Sequence, residues 1–536
     1  MGKLALAAIV SSWVVPITIM VNRIVTEPYM DEIFHIPQAQ QYCKGNFGSW
    51  DPMITTPPGL YYLSLAHVAS LFPGLYCVEA ASSFLDVCSA SILRSINGVL
   101  AITCSIILYD IIIHLRPTLG DRKTMLHAVV LSLYPLHWFF TFLYYTDVAS
   151  VTAVLAMYLA SLKKNYWLSA LVGAFAVIVR QTNIIWVLFC ACIGIIDISL
   201  MRGKGNAKTA KSDVSVEHDF TSVTGTSTKG TDLKRRKSVK TVNTSEYSLP
   251  RISASSPSFS SDLFDEIRAV LLTIWQMKLE LLISFSPYLM VLIAFLLFVY
   301  WNGSIVLGNI LFHAIPCDIF GPLDPLSNIS YCNAGAKEAH AVSPHFAQIL
   351  YFGLVSVLAQ APMHFTFTHA VDMFQSFWRS RPLSYIQMFL ALIAGILSVH
   401  FFSVAHPYLL ADNRHYPFYL WRKVIMAHWS IRYLFVPVYM YSWLSIIHML
   451  GKVRSRLWIL AYFLATAAVL VPAPLIEFRY YTIPFYFLVL HCNIRDGPHW
   501  LLTGMLYVGV NICTMLMFLF RPFHWDHETG IQRFIW

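Results

Sequence analysis

Two adjacent carboxylates, Asp31 and Glu32, lie in the stretch Glu27-Pro28-Tyr29-Met30-Asp31-Glu32-Ile33-Phe34-His35-Ile36-Pro37-Gln38-Ala39-Gln40, shortly after an apolar run from Leu4 to Val21. A carboxylate held at a membrane surface among aromatics is costly to ionise, so it is expected to gain basicity. Such a group can take the proton from a hydroxyl while that oxygen attacks a second molecule. The competing reading is a solvated helix cap, with Asp31 opening a helix. Further on, Trp50-Asp51-Pro52-Met53-Ile54-Thr55-Thr56-Pro57-Pro58-Gly59-Leu60-Tyr61 is stiffened by its prolines. It either sets Trp50 and Asp51 against a sugar or connects loop to membrane.

Two later segments gather charge beside apolar sequence: Leu409 to Lys423, with Asp412, Arg414, His415, Arg422 and Lys423, and Leu475 to Tyr481, with Glu477 and Arg479. A phosphate at bilayer depth is matched by Arg forks and Lys point charges, and aromatics anchor such loops at headgroup level. Binding of ordinary lipid headgroups would use the same residues. Asp147 and the cluster Arg180-Gln181-Thr182-Asn183 fall at the ends of apolar runs, where ionisable groups are costly and often functional. Pairing between helices is the alternative for them.

These residues must be carried by a membrane scaffold. Soluble proteins carry about 25% charged residues. This chain of 536 residues has 12%, with 57% hydrophobic residues and a mean hydropathy of +0.59. The first apolar run lacks a small-x-small cleavage site and reads as a retained span. Apolar windows suggest about thirteen spans, centred near Trp13, Leu100, Leu133, Leu155, Ala174, Cys192, Leu289, Ser356, Leu392, Val438, Phe463, Phe487 and Tyr507. The expected organisation is a transmembrane module over residues 1–200 with its first loop at 23–91, a disordered cytosolic loop at 201–265, and a second module over 266–536. The links at Arg116–Lys123, Lys163–Lys164, Arg379–Arg381 and Lys452–Arg456 are basic, as is the 201–260 stretch, so all are expected in the cytosol. The net charge of +9 thus reflects orientation and not nucleic acid. The sequons at Asn302 and Asn328 then face the lumen, and that at Asn243 does not. Cys317 and Cys332 share a polar loop and could pair there, whereas Cys104, Cys190, Cys192, Cys492 and Cys513 read as small core residues. The sequence shows no P-loop, no dinucleotide fingerprint, no Cys/His set at metal-ligand spacing and no lumenal Asp-x-Asp nucleotide-sugar site, so neither a nucleotide donor nor a metal is indicated and no cofactor is expected.

The two motifs of the first loop closely resemble the eukaryotic dolichyl-phosphoglucose-dependent α-1,2-glucosyltransferases. So do Phe142-Leu143-Tyr144-Tyr145-Thr146, Arg180-Gln181-Thr182-Asn183-Ile184-Ile185-Trp186, Leu409 to Tyr416, Leu475 to Tyr480 and Ile531-Gln532-Arg533-Phe534-Ile535-Trp536. The resemblance implies an all-α polytopic protein of the GT-C type in the endoplasmic reticulum membrane, with its active site facing the lumen. It implies transfer of the third, terminal glucose from dolichyl β-D-glucosyl phosphate to the diglucosylated dolichol-linked oligosaccharide, with inversion. Asp31 matches the superfamily's acidic residue after the first span, with Glu32 beside it. Arg414, His415 and Arg479 are the expected donor-phosphate residues. Trp50, Asp51, Tyr145, Arg180, Gln181, Asn183, Asp412, Glu477 and Lys423 are further substrate-contact candidates. Membrane lipids, the donor and the acceptor are the expected partners, and the chain is expected to act as a monomer. Another lipid-phosphate-sugar transferase of the same fold is the alternative within enzymes, and a transporter or channel modulator the alternative outside them.

Overall fold

The computed structural model describes residues 2–72, 87–216, 263–307, 344–378, 383–403, 406–473, 475–492, 498–525 and 528–536. Among the described residues the chain is helical apart from one small antiparallel pair, β1 (Phe523–Trp525) and β2 (Glu528–Gln532). Six helices are long and apolar enough to cross a membrane: Gly2–Ile24, Ala90–Leu115, Gln181–Arg202, Lys278–Asn302, Ile431–Gly451 and His499–Phe520. Five shorter apolar helices accompany them, over Thr146–Leu162, Tyr166–Val179, Ala347–Ala359, Tyr385–Phe401 and Arg456–Leu470. Among the described residues these eleven apolar helices are fewer than the thirteen expected spans. The window centred near Leu133 is two short helices, Asp121–Ser132 and Pro135–Phe140, because Pro135 cannot donate to the preceding turn.

These helices leave Leu296, Leu297, Tyr300 and Trp301 exposed on Lys278–Asn302, and Leu501, Met505 and Phe520 exposed on His499–Phe520. An apolar outer surface of this extent belongs in lipid, where helices satisfy every backbone group internally. Cys192 and Cys513 lie on such exposed faces, which corrects their reading as core residues; Cys104, Cys190 and Cys492 are buried.

The contacts divide the chain differently from the expected three parts. One compact unit joins residues up to Gly194 to those from Leu279 onward, and a second spans Ile195–Lys278. Within the first unit the core around the loop layer is aromatic. Val21, Val25 and Tyr29 pack with Trp138, Phe139, Phe142 and Phe518, and a neighbouring cluster joins Ile36, Tyr42, Tyr61, Leu93 and Tyr144. Rings of this size supply most of the buried area and stack edge to face. The Pro57-Pro58-Gly59 turn has a packing reason. A Cβ on Gly59 would come within 2.7 Å of the backbone at Ile178 and Val179, so only glycine lets the Gly59–Leu71 helix approach Tyr166–Val179 this closely.

The first loop is tied by a feature absent from the sequence reading, a disulfide between Cys43 and Cys88. It closes a loop of 45 residues, which by chain entropy contributes about 4 kcal/mol. Cys317, Cys332, Asn243 and Asn328 lie outside the described residues. Asn302 is described, and its amide donates to the carbonyls of Ser304 and Val306 at the end of its helix.

Candidate active site

Met30 adopts a left-handed backbone conformation, φ +56°, just before two carboxylates that meet different surroundings. Glu32 turns inward and is fully buried. Its Oε1 accepts from Arg94 Nε (2.8 Å) and from the Tyr144 amide (2.6 Å). Its Oε2 accepts from Arg94 Nη2 (2.6 Å) and from the Tyr29 amide (3.0 Å). Arg94 also donates to the carbonyls of Val25 and Glu27 and to the Asn22 side chain. Four donors on a carboxylate with no exposed surface leave no face for a substrate proton. Glu32 is thus a structural hub, which corrects its assignment as a catalytic partner of Asp31.

Asp31 turns outward. It precedes the helix Glu32–Cys43, yet its side chain makes no capping hydrogen bond, so the helix-cap reading does not hold. Instead its Oδ2 accepts from Arg479 Nη1 at 2.7 Å, across 448 residues of sequence, while 40% of its side chain remains accessible. The loops bearing the two residues therefore open on the same face. Arg479 also donates to Glu477, lies 3.9 Å from Asp147 Oδ2, and sits over the Tyr145 ring. The Tyr145 hydroxyl accepts from the Asp31 amide (3.2 Å), and Asn97 holds this turn by donating to the carbonyls of Leu143 and Tyr145.

Electrostatics in this cluster run against the expected gain in basicity. Burial raises the Asp31 pKa, but the charge and hydrogen bond of Arg479 outweigh it, with His35 and His415 adding to the effect, and the net shift is downward. Glu477 is lowered in the same way, burial opposing and Arg479 prevailing. For Arg479, burial works against the charged form, yet Glu477, Asp31 and Asp147 together raise it well above its ordinary value. His35, one helical turn after Asp31, is lowered chiefly by burial; its Nδ1 lies 2.6 Å from the Tyr61 hydroxyl. Its i+4 spacing from Asp31 was the signal available in sequence.

Arg414 and His415 belong to a neighbouring cavity of about 310 Å³, lined also by Asp412, Glu477, Trp525 and Trp536. Glu477 is the shared wall, since it reaches Arg479 on one side and the cavity on the other. Asp412 grips Arg414 through Nε (2.9 Å) and Nη2 (2.8 Å). Burial raises the Asp412 pKa, and its bonds to Arg414 more than reverse that.

The remaining candidates fall elsewhere. Asp147 pairs with Arg180 at 2.7 Å, and the recess beside them, about 20 Å³, has room for about one water. Gln181 donates to the Thr55 carbonyl, and Asn183 is spent on Ser150 and the Ala176 carbonyl, so both brace helices. Asp51 accepts from the Met53 amide in a local turn, and Trp50 donates to the Ile54 carbonyl. Lys423 is exposed on the turn Trp421–Ile425, away from the cavity lining. No group of three His, Cys, Asp or Glu among the described residues could hold a metal ion.

A many-helix membrane protein that collects carboxylates and guanidiniums at its helix ends, beside a roomy cavity in its loop layer, is equipped for chemistry at a membrane surface. The chain belongs to the DIE2/ALG10 family, which it matches over residues 25–320 and 330–490. It is 56% identical to an Arabidopsis thaliana protein named Dol-P-Glc:Glc(2)Man(9)GlcNAc(2)-PP-Dol alpha-1,2-glucosyltransferase, with 100% of each chain covered. Proteins of the same name from Mus musculus and Homo sapiens are 32% and 31% identical, covering 96% of this chain and 94% of their own. No solved structure matches it.

Proposed function

We propose that this protein transfers glucose from dolichyl-phosphoglucose, in α-1,2 linkage, to the diglucosylated dolichol-linked oligosaccharide, the reaction in the names of its full-length relatives. The observation that carries the mechanism is the accessible Asp31 carboxylate hydrogen-bonded to Arg479 beside the Arg414 cavity. The donor phosphate, entering that cavity, competes with Asp31 for the Arg479 guanidinium. Losing that partner shifts Asp31 toward higher basicity, because Arg479 is the largest influence opposing burial. Asp31 takes the proton of the acceptor 2-hydroxyl. Its oxygen attacks the anomeric carbon from the face opposite the phosphate, and the carbon–oxygen bond to phosphate breaks. Dolichyl phosphate leaves with the electron pair, its charge met by Arg479 and Arg414. One displacement inverts the β-linked donor to an α product, and the step calls on no cofactor.

A GT-C architecture in the endoplasmic reticulum, with the site facing the lumen, completes the reading. The Cys43–Cys88 disulfide supports an oxidising compartment for the first loop. Purified protein should move labelled glucose from dolichyl-phosphoglucose onto a diglucosylated acceptor; transfer only to a monoglucosylated one would refute the assignment. Orientation is tested on sealed microsomes with tags near Ser227 and Asn328. Protease should cut the first tag and reach the second only after detergent. Cleavage of both in sealed vesicles would put the proposed site on the wrong side.

A further inference from the structure

Beyond the last long helix, residues 523–525 and 528–536 turn back onto the cavity. Ile535 donates its amide to the Arg414 carbonyl (2.9 Å), and the Tyr416 amide donates to the Ile535 carbonyl (3.0 Å). This backbone pairing sets β1 and β2 against the Arg414 side chain. Arg414 Nη1 donates to Gln532 Oε1 (2.9 Å), and its guanidinium lies 4.6 Å from the Trp525 ring centre. Trp525 is itself oriented, its indole N–H donating to Asn413 Oδ1 (2.8 Å), and both Trp525 and Trp536 line the cavity. On its other side the segment meets the catalytic loop. The Tyr29 hydroxyl donates to the Arg533 carbonyl (2.6 Å) and accepts from the Arg533 amide (2.7 Å), two residues before Asp31.

A plain strap would hold the fold through these backbone bonds alone. The contact at Gln532 does something more specific. Asp412 already occupies two edges of the Arg414 fork, and Gln532 fixes a third nitrogen through a neutral carbonyl. A carboxylate there would add a further negative charge to a cavity that already holds Asp412 and Glu477, and would repel a phosphate. We propose that this segment is a working wall of the donor cavity: Gln532 is a positioning residue that holds Arg414 toward the phosphate, while Trp525 and Trp536 turn apolar ring surface to the hexosyl group. The proposal rests on the reaction proposed above.

The test is steady-state kinetics and thermal unfolding of the purified full chain in lipid nanodiscs, for wild type, Gln532→Ala and Gln532→Glu. Gln532→Ala should raise the donor KM about tenfold, the scale of one lost hydrogen bond to a charged group, with acceptor KM within about twofold. Gln532→Glu gives Arg414 a stronger partner, so its Tm should equal or exceed that of wild type while its donor KM rises further than in the alanine variant. Should Gln532→Ala not fold, the glutamate variant carries the test alone. A wild-type donor KM in Gln532→Glu would reduce Gln532 to a strap and overturn the proposal. No turnover of dolichyl-phosphoglucose by wild type would instead remove the underlying reaction, and is seen before any variant is compared.

Discussion

Asp31→Asn should lower kcat by about 10²- to 10⁴-fold, the usual range for loss of a general base, while donor KM falls or holds because the phosphate no longer competes with a carboxylate for Arg479. The amide keeps the size of the carboxylate but cannot accept the acceptor's proton. The pH profile gives an independent check, because kcat/KM reports the free enzyme. Arg479 holds the Asp31 pKa below its ordinary value, so the carboxylate stays ionised as pH falls from neutral. The rate should therefore remain level down to the ordinary carboxylate range and fall only beneath it. Arg479→Ala removes that attraction and leaves burial, which raises the pKa, so its acid limb should move to higher pH. An acid limb unchanged in Arg479→Ala, or near-normal turnover in folded Asp31→Asn, would take the base role away from Asp31.

Glu32→Ala should destabilise the protein by about 3–5 kcal/mol, because it strands a buried guanidinium. Arg94 is 1% exposed, and the amides of Tyr29 and Tyr144 lose their acceptor as well. Those two amides fix the turns that carry Asp31 and Tyr145, so activity should fall together with folded yield. Replacing both partners, Glu32→Leu with Arg94→Met, should recover part of the loss, since two apolar side chains leave no orphaned charge. Size-exclusion recovery and Tm in detergent measure this directly. A Glu32→Gln protein with wild-type Tm and abolished turnover would contradict the hub and restore Glu32 as a candidate base.

Much about this protein is determined by the sequence alone. Low charge and long apolar runs require a lipid solvent, since so few polar side chains cannot cover a water-facing surface. Motifs clustered in loops mark the functional face, because ionisable groups persist beside apolar sequence only where they have partners or a task. Which task falls to which residue was decided by packing. Asp31 and Glu32 are neighbours of one type at the mouth of one helix, and neighbours on a helix point about 100° apart. One is spent in the core and the other meets Arg479, and nothing in their order says which. Basic residues in two loops look equivalent along the chain, yet Arg479 meets Asp31, Arg414 is held by Asp412 and Gln532, and Lys423 stays outside. The Cys43–Cys88 bond was missed for the same reason: a link between two helix ends depends on where those ends meet. Hydrophobic periodicity encodes which face of a helix is buried but not which other helix buries it, and a site assembled from residues 448 positions apart exists only once the helices have packed.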